Sequence, residues 1–389
     1  MLLDVVTDKH FYRCAEGSIW TDEAFPYGFW CGYLSVFNQV NIVAPVYNVK
    51  CTRPGWLEVT GEKVSITAVP AGEGLEAFAM RLVKTCKILR QRKGIADKVI
   101  FRLPGFLSWL YQEMVKPALH QCGAEVTHDP VDVYAKDNSV GVWHPFLRKL
   151  HEGLLRQQCR QVCAISYATE HALQERYPPA AEAFHTHYSS IFLNNDEYHQ
   201  RTQYPLHKPV RVLCISSLSH SYKGCDVMLA ALRQLIDAGV TCHLTWIGGG
   251  QQVNRMQGAA VTLGLHTVAD FVGNVSCEKK IRDAMDAADI FIMPSKKEKL
   301  PHALLGAMAR SVICIASSVA GVNELLNEER IVERGSAQAL SEAIQTCLRM
   351  SEKQRLDEAK QNFQRAQDFH YDLLQARRLA MFAQLRNAR

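Results

Sequence analysis

Short apolar runs alternate with longer stretches of mixed character along all 389 residues. Runs of this kind, bounded by turn residues, predict buried strands. Apolar positions that return every third or fourth residue predict helices. In the first half the pattern predicts strands over residues 2–6, 40–44, 98–103, 125–128 and 162–166, with helices over 75–92 and 105–121. Residues 177–209 break the rhythm with Pro178-Pro179, a histidine-rich patch, Asn194-Asn195, Pro205 and Pro209, and they read as a linker. The rhythm then restarts. Strands are predicted over 210–215, 242–247, 268–272, 290–294 and 312–316, and helices over 225–238, 253–263, 279–288 and 302–309. Residues 361–389 are rich in Ala, Leu, Gln and Arg and read as helical.

Strands alternating with helices predict parallel sheets, and the length suits two such domains rather than one. The expected fold class is α/β with two Rossmann-like domains: an N-terminal one over 1–200, a second over 208–365, and a C-terminal helix over 366–389 that crosses back to the first. Two such domains facing each other leave a cleft between the carboxyl ends of their strands, where ligands of doubly wound sheets bind.

Composition narrows the function classes. Hydrophobic residues make up 48% and charged residues 21%, which fits a packed globular chain. A net charge of +5 allows contact with phosphates but gives no reason to expect nucleic acid as a partner. The thirteen cysteines include no CxxC pair, and Cys159 and Cys163 lack a second pair at zinc spacing. They read as reduced thiols of a cytoplasmic protein, with no structural metal. The start, MLLDVVTDKHF, lacks a basic leader and reads as a first strand, and no run reaches the ~20 apolar residues of a membrane span.

The most informative stretch is IFIMPSKKEKLPHALLGAMARSVICIASSVAGVNELL, residues 290–326. A strand ends at Pro294, a charged loop carries Lys296, Lys297 and Glu298, and Pro301 opens a helix. The free amides and dipole of a helix N-terminus suit a phosphate. A second block, ISSLSHSYKGCDVMLA from residue 215, brings Lys223-Gly224 and Asp226 to the start of another helix. Gly248-Gly249-Gly250 follows a strand, and without a Gly-Lys-Ser/Thr sequel it is not a phosphate loop of the Walker type. A tight turn or direct nucleotide contact both fit it.

In these blocks the chain resembles the family-4-type retaining glycosyltransferases (glycosyl transferases group 1, GT-B fold), whose pattern runs roughly E-G-[LF]-P-x-x-x-x-E-A-M-A-x-G-x-P-V-x-A-[ST]-x-x-G-G-x-x-E. Glu298, Leu300-Pro301, Ala307-Met308-Ala309, Gly321 and Glu324 fall on its positions, and Lys223-Gly224 falls on the K-G of the second block. The resemblance implies that Lys223 meets the donor diphosphate, that Glu298 holds the transferred sugar, and that Asn274 lies near the base. It also implies a sugar contact for His128, at the end of a predicted strand, for which a satisfied loop histidine is the alternative. Leu300, Pro301 and Gly249 would line the donor site. Three positions depart from the family. Ser217 stands where an arginine is usual, and Gly306 replaces the second glutamate, which usually binds ribose. The residue after that helix is Ser311 where glycine is usual.

In the first half, Gly17 lies in a loop of the kind that approaches the donor phosphate or the acceptor. Arg102 suits a phosphate or an internal ion pair. Phe25–Trp30 is aromatic-dense and suits core packing or stacking on an acceptor sugar. Residues 81–93, RLVKTCKILRQRK, hold six basic and no acidic side chains. With Leu82, Cys86 and Leu89 on one face, they suggest peripheral contact with anionic lipid at the inner membrane face, or a solvated basic helix.

The expected activity is retaining, metal-independent transfer from a nucleotide-diphosphate sugar (UDP or GDP type, with no further cofactor) to a saccharide or lipid-linked saccharide acceptor in polysaccharide or glycoconjugate biosynthesis. Asp129-Pro130-Val131-Asp132 has the wrong spacing for a metal-binding DxD. A degenerate partner subunit and a nucleotide-sugar epimerase are the alternatives.

Overall fold

The computed structural model describes every residue except 23–24, 73–77, 131–143, 190, 298–300 and 320. Glu298, Leu300 and Asp132, and the predicted start of the helix over 75–92, thus lie outside the described residues. The chain divides into two compact units, Met1–Ser189 with Gln375–Arg389, and Ser190–Leu374.

The first unit is built on one sheet. Its strands are β1 (Leu2–Val6), β2 (Phe11–Arg13), β3 (Ile19–Thr21), β4 (Gln39–Asn48), β5 (Leu57–Glu58), β6 (Val64–Pro70), β7 (Lys98–Leu103), β8 (Cys122–Val126), β9 (Ala164–Tyr167) and β10 (Phe184–His187). They run in the order β10-β9-β8-β7-β1-β4-β2-β3-β5, with β6 also on β4. The pairings are parallel except β2–β3 and β3–β5. β4 pairs with β1 over Gln39–Val43, and its last residues, Val46–Asn48, pair with β2. The short strands β2, β3 and β5 therefore extend the sheet beyond the carboxyl end of β1.

Helices cover the faces of the parallel strands. Leu89 of helix Phe78–Gln91 and Leu107, Leu110 and Tyr111 of helix Phe106–Val115 pack with Phe101, Leu103 and Val126 in one apolar cluster. The second helix ends earlier than its periodicity suggests. Lys116 takes a left-handed φ of 52° and Pro117 follows, which stops the helix. Asp4, in the middle of β1, is fully buried. It is held by Asn41 Nδ2 at 2.9 Å, Arg92 Nε at 3.1 Å and the Tyr111 hydroxyl at 2.7 Å. The last helix, Tyr371–Asn387, completes this unit. Met381, Phe382 and Leu385 are buried, Phe382 stacks on Tyr33 at 4.9 Å, and Lys98 Nζ donates to the Ala388 carbonyl at 2.8 Å.

The second unit holds β11 (Val210–Ile215), β12 (Cys242–Ile247), β13 (Ala269–Gly273), β14 (Ile290–Met293), β15 (Ile313–Ser317) and β16 (Ile331–Val332) in one parallel sheet ordered β13-β12-β11-β14-β15-β16. β14 and β15 are buried at every residue, as strands covered on both faces must be. On one side Val212, Leu244 and Trp246 pack with Met228, Leu232 and Ile344. On the other Leu213, Phe291 and Met293 pack with Met285, Leu304 and Met308. The chain leaves β11 to one side and returns at β14 on the other, so the sheet reverses direction between these two strands. In doubly wound sheets such a reversal marks where ligands bind, outside the carboxyl ends of the strands.

Ser311 shows how a departure from the expected glycine is accommodated. After helix His302–Ala309 it takes φ 55°, its N–H donates to the Met308 carbonyl at 2.9 Å, and the Val312 N–H donates to the Ala307 carbonyl at 3.0 Å. This is a Schellman cap with serine in the left-handed position. The hydroxyl offsets the strain by donating to the His199 carbonyl at 3.0 Å. Ser311→Ala keeps the strain and loses that bond, so it is expected to destabilise by about 1 kcal/mol. Ser311→Gly relieves about as much strain as it loses in bonding and is expected to be near neutral. Urea unfolding of both variants checks this, and equal losses would contradict it.

Candidate functional site

The carboxyl ends of β11 and β14 are joined by backbone. Gly224 has φ 74°, and a Cβ built on it falls 2.0 Å from the Pro294 carbonyl oxygen. Only glycine allows this conformation and this approach together. The Lys296 N–H donates to the Tyr222 carbonyl at 2.7 Å, and Lys296 Nζ pairs with Asp226 at 2.8 Å. The loop carrying Lys223 is thereby clamped to the loop after β14. Lys223 itself lies half-buried with its Nζ 5.4 Å from the centre of the Tyr222 ring, which is stacked on His220.

Two more loops close on the same edge. Gly248 and Gly250 have φ 138° and 144°, and a Cβ on either would lie 2.1 and 2.3 Å from backbone atoms of Ser216 and Ser219. Gly249 donates its N–H to Asn274 Oδ1 at 2.7 Å, and its carbonyl accepts the Leu218 N–H at 2.8 Å and the Ser217 hydroxyl at 3.3 Å. The triple glycine is thus a turn that packs backbone on backbone. Ser217, Gly249 and Asn274 are brought together by it, with Asn274 exposed beside the turn.

Pro301 is buried and is the N-cap of helix His302–Ala309. Gly306 lies in this helix, and a Cβ there would meet the Met285 methyl at 3.2 Å. Side chains that the motif reading did not single out also gather here. Arg334 Nη1, from the segment after β16, donates to the Lys296 carbonyl at 3.3 Å. The buried Ser295 hydroxyl has no hydrogen-bond partner among the described residues. Arg334 lies outside the motif blocks, and only strand order brings it near. Cys225 opens the helix after Gly224, but burial pushes its thiol up to about 12, so it is no nucleophile at neutral pH.

The first unit places its candidates separately. β8 ends at Val126, so Thr127 and His128 stand beyond the strand rather than inside it. The Thr127 hydroxyl spends its single proton on the Leu103 carbonyl at 2.9 Å. His128 Nδ1 lies 2.9 Å from the Thr127 hydroxyl oxygen. Asp129 is held by Arg176 at 2.9 Å and by the Tyr177 hydroxyl at 2.8 Å. Arg102 has an internal partner. It pairs with Glu125, which also accepts from the hydroxyls of Tyr33 and Tyr188, and its guanidinium lies 5.1 and 5.0 Å from the Phe25 and Phe29 rings. The ion-pair alternative describes this residue. The aromatic segment Phe25–Trp30 packs around that pair and Trp30 is buried. Gly17, with φ 95°, sits in the turn of the β2–β3 hairpin, where its N–H donates to the Cys14 carbonyl at 2.9 Å. On helix Phe78–Gln91, Leu82, Cys86 and Leu89 turn into the core, so the apolar face read from residues 81–93 is not a surface. The exposed side carries Met80 and Val83, 64% and 70% exposed, followed by Lys84, Lys87 and Arg90. Among the described residues no helix is long and apolar enough to cross a membrane, and no group of three or more His, Cys, Asp or Glu could hold a metal ion.

Residues 209–350 match the family described as glycosyl transferases group 1. The chain is 20% identical to Protein CapJ of Staphylococcus aureus over 356 residues, 91% of this chain and 88% of that one. It is 39% identical over 67 residues, 17% of each chain, to the putative teichuronic acid biosynthesis glycosyltransferase TuaC of Bacillus subtilis (strain 168). Anabaena HepE, solved in complex with UDP, superposes with a TM-score of 0.62 at 12% identity, covering 98% of this chain and 100% of that one. The fold is that of the GT-B glycosyltransferases.

Gly224→Ala tests the clamp. The added methyl meets both a left-handed φ and a backbone oxygen, so the 216–224 loop must shift. A loss of about 2–4 kcal/mol in unfolding free energy is expected. Full retention of stability would mean that the loops do not meet as described.

Proposed function

Starting from a GT-B fold whose residues 209–350 are a glycosyl transferases group 1 domain, we propose that this chain is a retaining glycosyltransferase. It moves a sugar from a nucleotide diphosphate to an acceptor hydroxyl in polysaccharide or glycoconjugate synthesis. The observation that carries this reading is the clamp of the Lys223–Gly224 loop to the loop after β14, at the point where the strand order reverses. A diphosphate seated there meets the Lys223 ammonium and the amides that begin helix His302–Ala309. As the glycosidic bond to the diphosphate breaks, negative charge grows on the departing phosphate, and these groups stabilise it. The acceptor hydroxyl attacks from the same face and passes its proton to the departing phosphate oxygen. Glu298 orients the sugar, a role also proposed for His128. HepE, of the same fold, was solved in complex with UDP, which supports a UDP-type donor, and TuaC, named for teichuronic acid biosynthesis, supports a role in polysaccharide or glycoconjugate synthesis.

Calorimetry with UDP, GDP and ADP is expected to show binding of one of them. Lys223→Ala and Glu298→Ala are each expected to lower turnover with the matching sugar donor by about a hundredfold. Undiminished turnover in both would overturn the assignment, and turnover is expected to be insensitive to EDTA. A second reading, a partner subunit without activity, is favoured by Gly306 and Ser217. The first turns toward buried Met285 and the second spends its hydroxyl on the triple-glycine turn, so neither supplies the usual donor contact. Absence of heat with all three nucleotides, from a folded protein, would select it.

The exposed Met80 and Val83, followed by three cations, further support peripheral binding to anionic lipid at the cytoplasmic face. Each cation near such a surface contributes about 1 kcal/mol. Reversing two, in Lys84→Glu with Lys87→Glu, is expected to abolish co-sedimentation with phosphatidylglycerol vesicles. Unchanged sedimentation would rule this helix out as the contact.

A further inference from the structure

The extension formed by β2, β3, β5 and the end of β4 has one face turned inward and one turned out. Phe11, Ile19, Thr21 and Val46 face in and are buried, with Phe11 against Trp30. The outward positions come into register across the strands. Tyr47 of β4 pairs with Tyr12 of β2, Tyr12 with Trp20 of β3, and Trp20 with Glu58 of β5. A strand face open to water is normally polar. Here three neighbouring strands each place an aromatic ring on it, all half-exposed. Trp56 adds a fourth ring, stacked on Tyr12 at 4.2 Å, and His10 stands edge-on to both Tyr12 and Tyr47.

The polar ends of the rings are tied down. The Tyr12 hydroxyl donates to Asp22 at 3.1 Å and lies 3.2 Å from His10 Nε2, and Trp20 Nε1 donates to the Ser18 hydroxyl at 2.8 Å. Arg53 lies 5.8 Å from the centre of the Trp56 ring. Rings fixed in this way lose little freedom when a ligand arrives. The ring-bearing strands span two strand spacings, about 10 Å. Tyr47, Trp20 and Trp56, each half-buried, offer about 300 Å², less than half of what one partner contributes to a stable protein interface. The row is therefore too small for a protein partner. It suits a narrow ligand with flat apolar faces and a polar rim.

We propose that this row is a saccharide-binding subsite of the first unit. Sugar rings lay their C–H faces on Tyr47, Trp20 and Trp56, braced by Tyr12, whose ring is already stacked on Trp56 and Tyr47, and their hydroxyls reach Asp22, Glu58, His10 and Arg53. The inference rests on the transferase reading for its purpose, which is to hold the acceptor chain away from the reacting hydroxyl. It stands physically on the row alone.

The test titrates the full chain with maltohexaose, cellohexaose and chitohexaose, following tryptophan fluorescence. At least one oligosaccharide is expected to bind and to perturb the emission. Trp56→Ala and Tyr47→Ala are each expected to raise its Kd by about tenfold, and Trp56→Phe, which keeps a ring, by much less. Circular dichroism and Tm confirm that the variants fold. Binding of none of the three, or equal binding by wild type and both alanine variants, overturns the proposal. Nucleotide calorimetry on the same preparations separates the two claims. Nucleotide binding without oligosaccharide binding removes the row alone. Oligosaccharide binding without nucleotide binding removes the donor reading and leaves the row.

Discussion

The second unit depends on backbone resting directly against backbone. At Gly224, and again at Gly248 and Gly250, a side chain is missing where another strand's loop passes within reach of a Cβ. These three contacts knit the ends of β11, β12 and β14 into one rim. Such a rim cannot be made with side chains, which would hold the loops several ångströms apart. It leaves amides and one short loop, rather than bulky groups, at the point where the strand order reverses. In the proposed transferase reading, a charged donor there meets a surface already fixed in shape, which is the condition for electrostatic stabilisation without reorganisation.

The first unit relies on a different device. Two carboxylates, Asp4 and Glu125, are buried within its central strands, and each is paired with an arginine. Asp4 is shared by Asn41, Arg92 and Tyr111, and Glu125 by Arg102, Tyr33 and Tyr188. Burial together with the Glu125 carboxylate pushes the Tyr33 phenol up, so it stays protonated and continues to donate. Removing one member of such a network leaves an uncompensated charge, whereas the intact network fixes the register of the strands that carry it.

What was legible in the sequence follows from this contrast. The regular strands and helices of the second unit could be read closely, because doubly covered strands such as IFIM are continuously apolar and their helices carry clear periodicity. β2, β3 and β5 are two or three residues long, too short for any period to show. β10, FHTH, is polar and lies at the sheet edge, so it reads as linker. In the candidate site, the motif order indicated Lys223 and Pro301. Arg334 carried no motif and enters only through strand order. Arg102 looked the same whether bound to a ligand or to Glu125, because the partner lies on a neighbouring strand. The basic helix misled on its apolar face, since Leu82, Cys86 and Leu89 have the spacing of a core stripe as much as of a lipid-facing one.

The helix Tyr371–Asn387 places the two stretches of the first unit at opposite ends of the sequence, with the second unit contiguous between them. During synthesis the second unit therefore emerges whole before the first can bury Tyr33 against Phe382 or close Lys98 onto Ala388. The usual order, in which the leading domain finishes first, is inverted. Until residues 375–389 have been made, the first unit waits with part of its core open.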